Sequence, residues 1–183
     1  MSTETSEFDV VRKLYETHSA SKWYNWLEFK LAFENPGKQG LVGLMRVNEA
    51  HDCVFKISQY INYLVQHESI VMRGLNDIAT YCPHFCRSIG TIECEVNPKC
   101  RKSGDPFDSN CKYPIKKDVL LCEYIDSSHK LSKYIKSKKV PEGVLFSLVK
   151  QVIMGIHVAQ VKKQFSHYDL HSNNIMVKRC NKD

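Results

Sequence analysis

Asp169 and Asn174 stand five positions apart in the stretch His167-Tyr168-Asp169-Leu170-His171-Ser172-Asn173-Asn174, directly ahead of the apolar run Ile175-Met176-Val177. At that spacing a carboxylate can accept the proton of an attacking hydroxyl while an amide oxygen ligates a Mg²⁺ held between nucleotide phosphates. The apolar run is expected to anchor the loop as a strand. Phosphoryl transfer also asks for an ammonium on a rigid strand, reaching the α and β phosphates, and for glycines where backbone closes over phosphates. Lys56, in Val54-Phe55-Lys56-Ile57, meets the first demand, and Gly37 and Gly40, in Gly37-Lys38-Gln39-Gly40-Leu41-Val42, meet the second.

These residues need elements to position them. Apolar side chains at Tyr60, Ile61, Leu64, Val65, Ile70, Val71, Leu75 and Ile78 have helical spacing and predict a helix over 59–79 with one buried stripe. Lys117-Asp118-Val119-Leu120-Leu121-Cys122-Glu123-Tyr124-Ile125 reads as a strand running into a connector. A short polar helix is expected over 131–138. Pro141 opens a longer one over 142–162, whose Leu145, Leu148, Val149, Val152, Ile153, Ile156 and Ala159 recur at intervals of three and four and predict one wide buried face. The turn-rich, charged stretch from Glu95 through Pro114 reads as a long loop. Ahead of the glycines, Phe8, Val11, Leu14, Tyr15, Trp23, Trp26, Leu27 and Leu31 suggest helices over 7–17 and 21–33, with packing against the sheet as the first expectation and docking of a partner as the alternative.

Taken in order, these parts resemble the protein kinase superfamily. Its H-R-D-L-x-x-x-N signature is matched at His167, Asp169, Leu170 and Asn174, with Tyr168 in place of Arg. Gly37, Gly40 and Val42 resemble the glycine-rich loop, with Asn35 where the first glycine belongs, and Val54 to Ile57 resembles the third-strand V-A-I-K motif. The resemblance implies Asp169, Lys56 and Glu68 as catalytic residues, Glu68 pairing with Lys56 from the helix. It further implies ATP held by Gly37, Gly40, Val42, Lys56, Glu123 and Ile125, Cys122 at the back of the adenine pocket, and Mg²⁺ held by Asn174. His167 is structural in that pattern. The implied fold is α+β: a small lobe of antiparallel sheet plus one helix over 31–124, a cysteine-rich insertion at about 93–117, an N-terminal helical extension over 1–30, and the hinge and first helices of a large lobe over 125–183, with nucleotide in the cleft between lobes. The implied reaction is transfer of the ATP γ-phosphoryl group to Ser or Thr of a protein substrate.

The match has departures. The sequence ends at Asn181-Lys182-Asp183 without the Asp-Phe-Gly whose Asp carries the main Mg²⁺, so the chain is expected to be truncated and completed by a further C-terminal segment or a partner chain. Tyr168 removes the usual anchor for an activation-loop phosphate. His171, where Ser/Thr kinases place a Lys, is shared with small-molecule phosphotransferases and with diverged protein kinases such as those of large DNA viruses. A pseudokinase-like binding module and a small-molecule phosphotransferase therefore stand as alternatives.

Composition bounds the rest. A chain of 183 residues has enough material for a core, and no run of eighteen apolar residues predicts a membrane span. The polar start Met1-Ser2-Thr3-Glu4-Thr5-Ser6-Glu7 lacks the pattern of a signal peptide, so the expected home is the cytoplasm, that of the host for a viral protein. The net charge of +6 gathers at Lys130, Lys133, Lys136, Lys138 and Lys139 and again near Lys162 and Lys178; sparse in interleaved aromatics, it reads as a solvated face rather than a nucleic-acid contact. Of eight cysteines, Cys82, Cys86, Cys94, Cys100 and Cys111, with His84, have irregular zinc-like spacing, against a plainer reading of Cys53, Cys82, Cys86 and Cys122 as small buried residues of a reducing compartment.

Overall fold

The computed structural model describes residues 6–33, 40–58, 62–97, 104–137 and 139–179. The chain is a mixed α+β protein that divides into two compact units, Met1–Arg73 with Arg87–Tyr124, and Gly74–Cys86 with Ile125–Asp183.

The first unit is built on a five-stranded antiparallel sheet, compatible with a kinase-like small lobe. In chain order its strands are β1 (Leu27–Ala32), β2 (Gly40–Val47), β3 (His51–Ser58), β4 (Ser88–Val96) and β5 (Ile115–Glu123), arranged β1-β2-β3-β5-β4. Asn48 and Glu49 take the left-handed backbone that a tight β2–β3 hairpin demands, with φ of 44° and 61°. Because side chains alternate across a strand, the register separates two faces. On one, Met45, Cys53, Phe55, Val119 and Leu121 are fully buried with Ile92 and Cys94 beside them. The other carries Val42, Lys56 and Leu120 as direct cross-strand neighbours.

The apolar face is closed by the N-terminal segment. Helix α1 (Glu7–His18) starts at Ser6, whose side chain accepts the Asp9 N–H, and packs Phe8 and Val11 into the core against β3 and β4. The Tyr15 hydroxyl donates to the Thr91 carbonyl at 3.0 Å and accepts the Thr91 N–H at 3.3 Å, so α1 supplies partners to the edge strand β4. The helix expected over 21–33 does not form: a short 3₁₀ turn spans Trp23–Asn25 and strand β1 follows. Leu27, Phe29 and Leu31 alternate with Glu28 and Lys30, a period of two that tryptophan spacing masked.

The described part of the connection from β4 to β5, residues 104–114, forms turns with no helix or strand, as a loop does, and it is anchored to the core. Asn97 N–H bonds to the Pro106 carbonyl, Asp105 Oδ1 accepts the Phe107 N–H at 2.8 Å, and Phe107 is buried with its ring 5.0 Å from that of Trp23 and 5.3 Å from that of Phe55. An aromatic inside a polar stretch was the signal for this anchor.

Helix α2 (Asn62–Asn76) serves the opposite face of the sheet: Gln66 Nε2 bonds Asp118 at 2.7 Å, and Cys122 Sγ lies 3.9 Å from Met72 Sδ. Its buried line runs through Val65, Ser69 and Leu75, continued by Ile78, while Leu64 and Ile70 are exposed, so the expected stripe is rotated.

The second unit holds strand β6 (His129–Lys130), helix α3 (Leu131–Ser137), helix α4 (Glu142–Lys163) and strand β7 (Met176–Val177), with β6 and β7 paired antiparallel. Lys163 at the end of α4 bonds Asp77 at 2.7 Å, and the helix stops on Gln164 in a left-handed conformation. The wide buried face expected of α4 is not buried. Only Gly155, against His84, and Ala159 are; Val149, Ile153, Met154 and Phe146 are exposed. A periodic apolar pattern states which side chains a helix can bury, and no described residue covers these. An 18-residue window of α4 has mean hydropathy 1.6, which by length and composition alone suffices to cross a membrane; a search for unbroken apolar runs overlooks it.

Candidate phosphoryl-transfer site

Lys56 lies on β3 with β2 and β5 bonded on either side, so its backbone is held by two ladders. Its Nζ sits 2.8 Å and 2.5 Å from the two carboxylate oxygens of Glu68 on α2. The pair is half-buried, with side chains 27% and 38% exposed, and both oxygens engage a single ammonium. The twelve-residue separation is short for the resembled family, and α2 nonetheless presents Glu68 to the strand. Val42 stands directly across from Lys56 on β2, half-buried beside it.

Gly40 opens β2 with φ of 157°, and a Cβ there would fall on the Ile57 carbonyl; only glycine allows the two strands to close at this point. Gly37, with Asn35 and Pro36, lies outside the described residues.

Cys122 is buried at the end of β5. Next to it, the Glu123 N–H donates to the Arg87 carbonyl at 2.9 Å. In the second unit the Ile125 carbonyl accepts the Ser128 hydroxyl at 2.7 Å.

The 167–174 loop is held by its own turns and by the start of α3. Asp169 N–H bonds the His167 carbonyl at 2.6 Å and Asn174 N–H the His171 carbonyl at 2.9 Å. Leu131 N–H donates to the Ile175 carbonyl, Ser132 N–H to the Ser172 carbonyl, and the Ser132 hydroxyl to Asn173 Oδ1 at 2.6 Å. Tyr168, fully exposed, has φ of 55°, a conformation that costs a non-glycine residue about 1–3 kcal/mol and turns the chain sharply ahead of Asp169. His167 is half-buried, its ring 5.9 Å from Phe165, which in turn lies 5.6 Å from Phe85; Nδ1 has no hydrogen-bond partner among the described residues.

Within the loop the two chemical residues meet. Asn174 Nδ2 donates to Asp169 Oδ2 at 2.9 Å and to the Asp169 carbonyl at 3.0 Å. With the amide nitrogen committed in this way, the Asn174 oxygen is the atom left to meet a cation. A hard oxygen donor next to a carboxylate suits Mg²⁺. His171 Nδ1 accepts the Asn173 N–H at 3.2 Å, which places its other nitrogen 3.6 Å from Asp169 Oδ1. The sequence marks His171 only as standing where Ser/Thr kinases place a Lys, and its contact with the acid is not legible there.

The cysteines behave otherwise. Burial, reinforced by Asp52 and Glu93 respectively, pushes the Cys53 and Cys94 thiols up to about 12, so neither ionises at neutral pH. Cys82 is buried as well, and Cys86 and Cys111 are half-buried. Among the described residues no three His, Cys, Asp or Glu side chains converge to hold a metal; Cys100 of the zinc-like set lies outside them.

No family model matches the chain. It is 38% identical over 132 residues to uncharacterized protein 038R of Invertebrate iridescent virus 3, across 69% of this chain and 23% of that protein. It is 25% identical over 174 residues to probable kinase 098L of the same virus, across 94% of this chain and 28% of that protein. A third relative, uncharacterized protein 098R of Invertebrate iridescent virus 6, is 25% identical over 27% of its length. The chain thus spans about a quarter of the length of these curated relatives.

Proposed function

We propose that this chain carries the nucleotide- and hydroxyl-handling residues of a phosphotransferase, moving the γ-phosphoryl group of ATP to a Ser or Thr hydroxyl of a protein inside an infected host cell. The observation that carries the reading is the Lys56–Glu68 pair, in which a strand ammonium is held by both oxygens of a helix carboxylate. A relative named a probable kinase supports it, aligning with 94% of this chain.

In this reading each residue has a task. Lys56, fixed by Glu68, neutralises the α and β phosphates. Gly40, with Gly37 and Val42, covers the nucleotide, and the backbone at Glu123 and Ile125 meets its base. Asp169 accepts the proton of the attacking hydroxyl, oriented by the Asn174 amide that bonds its other face. The Asn174 oxygen would hold Mg²⁺, which when bound offsets charge on the phosphates. A small-molecule hydroxyl is the second reading of the acceptor, favoured by His171 beside Asp169, an arrangement that can hold the acid without a protein platform.

Asp169→Ala is expected to lower transfer from ATP by about 10²–10⁴-fold with little change in Mg·ATP affinity, measured by radiolabel transfer and calorimetric titration. Lys56→Met should do the reverse first, weakening ATP binding. Retained turnover in Asp169→Ala sinks the assignment. Label appearing on a small alcohol and never on protein replaces the favoured acceptor with the second one.

A further inference from the structure

We infer that Arg87 is a positioning residue for the base-binding stretch: it clamps Glu123, where β5 ends, and ties that residue to the N-terminal helix α1. The inference rests on the nucleotide reading above. Arg87 Nε and Nη2 bond Glu123 Oε2 and Oε1 at 3.0 Å and 2.6 Å, a side-on guanidinium–carboxylate pair. The backbones join in as well: Arg87 N–H donates to Glu123 Oε2 at 3.3 Å, and Glu123 N–H donates to the Arg87 carbonyl at 2.9 Å.

The location gives this cluster its meaning. The β4–β5 ladder closes at Ser88 opposite Cys122, and its register slips between Ser88 and Gly90, so regular pairing is broken just where the two strands end. Arg87 immediately precedes β4 and Glu123 is the last residue of β5, each one step beyond the Ser88–Cys122 pair, and their bonds close what the bulge opens. Arg87 and Tyr124 are also the two ends of the segment that β4 and β5 contribute to the first unit. Glu123 is held on its other side by β3, where it lies opposite Cys53, so the Arg87 bonds secure the side that the β4 ladder leaves open, and a base needs such backbone partners held in place.

The clamp reaches further back. The Arg87 guanidinium lies 3.9 Å from the centroid of the buried Phe8 ring, so one cation is shared between a carboxylate and an aromatic face. With side chains only 26% and 23% exposed, the Arg87–Glu123 pair is shielded from full solvent screening. Lysine cannot reproduce the fork and the stacking together. The N-terminal helix is thereby linked through Arg87 to the end of β5.

Two measurements on the purified chain test this. Amide hydrogen exchange at Glu123 should quicken about tenfold or more in Arg87→Lys, the equivalent of about 1.4 kcal/mol; unchanged exchange there overturns the clamp regardless of nucleotide. In the same variant, ATP affinity should fall about tenfold while affinity for inorganic triphosphate, which has no base, stays as in the wild type. Phe8→Leu should give a smaller shift in the same direction. Equal losses for ATP and triphosphate reduce Arg87 to a structural residue. If wild-type chain binds neither probe, the nucleotide reading falls and takes the base-positioning role with it, while altered exchange alone would leave the clamp standing as a strand closure.

Discussion

Lys56 stands on the middle strand of a five-stranded sheet whose far face is packed with Phe55, Met45, Val119 and Leu121, all fully buried, and whose near face meets α2. Asp169 stands on an exposed loop, held by short-range turns, one amide and the first residues of α3, in a unit whose longest helix leaves Phe146, Ile153 and Val149 exposed. Both residues need a fixed orientation. The first obtains it from buried area, which resists any single loss nearby only at a high energetic cost to the whole unit. The second obtains it from a handful of polar bonds and one strained residue, Tyr168, so its geometry is separable from global stability. Changes around Lys56 should therefore register as unfolding, and changes around Asp169 as lost chemistry in a folded protein.

The largest effect expected of that contrast is at Phe55. Its ring is fully buried and meets those of Phe29 and Phe107 at centroid distances of 6.0 Å and 5.3 Å. Phe55→Ala should destabilise the first unit by about 3–5 kcal/mol, read as a lower denaturant midpoint. A cost below about 1 kcal/mol would mean that the aromatic face is not the core of this unit. Asp169→Ala, by comparison, should leave that midpoint where it was.

How much of this was legible in the sequence follows the same division. Motifs that repeat a local spacing were readable: Asp169 with Asn174, Lys56 on a strand, the α1 and α3 helices, and the Pro141 start of α4. What failed depended on what lies opposite in space. Glu68 could be named because it was the acid on the right helix, but its contact required α2 to take a rotation that buries Ser69 and exposes Ile70, contrary to hydrophobicity alone. Phe107 was hidden in a polar stretch because its partners, Trp23 and Phe55, are distant in sequence. β1 was misread because Trp23 and Trp26 belong to a turn that precedes the alternating Leu27, Phe29 and Leu31. The face of α4 was read as buried since periodicity reports amphipathicity and not the presence of a partner.

A smaller effect, again in the first unit, comes from charge. Asp52 on β3 receives Lys30 at 2.8 Å and Arg46 at 3.0 Å, from β1 and β2. Burial alone would push its carboxyl up, but the hydrogen bonds and charges of Arg46 and Lys30 outweigh that and hold it below the ordinary range. A carboxylate with a lowered folded-state pKa contributes stability that is complete above the unfolded value and is lost as pH falls through the folded one. The loss should therefore appear below about pH 4. Asp52→Asn should cost about 1 kcal/mol or less at neutral pH, given partners in contact with solvent, and should flatten the acid limb of the stability curve. An unaltered acid limb would show that the three charges do not act as a set.

The smallest effect is the most telling for the second unit. Ile153 is 61% exposed and Phe146 74% exposed, on the same helix whose Ala159 is fully buried. A side chain that keeps most of its water on folding gains little from burial, so Phe146→Ser and Ile153→Ser should each shift stability by no more than about 0.5 kcal/mol. Ala159→Phe, forced into a filled site, should cost about 1–3 kcal/mol on the same helix. The pair of results separates two origins of an apolar pattern. If the serine variants are neutral and the phenylalanine variant is not, the packing of α4 runs through its Gly155–Ala159 line, and the hydrophobicity of its outer residues reflects something other than the stability of the described unit. If Ile153→Ser costs more than about 1 kcal/mol, that face is covered in solution, and the unit that carries Asp169 is packed as firmly as the sheet that carries Lys56.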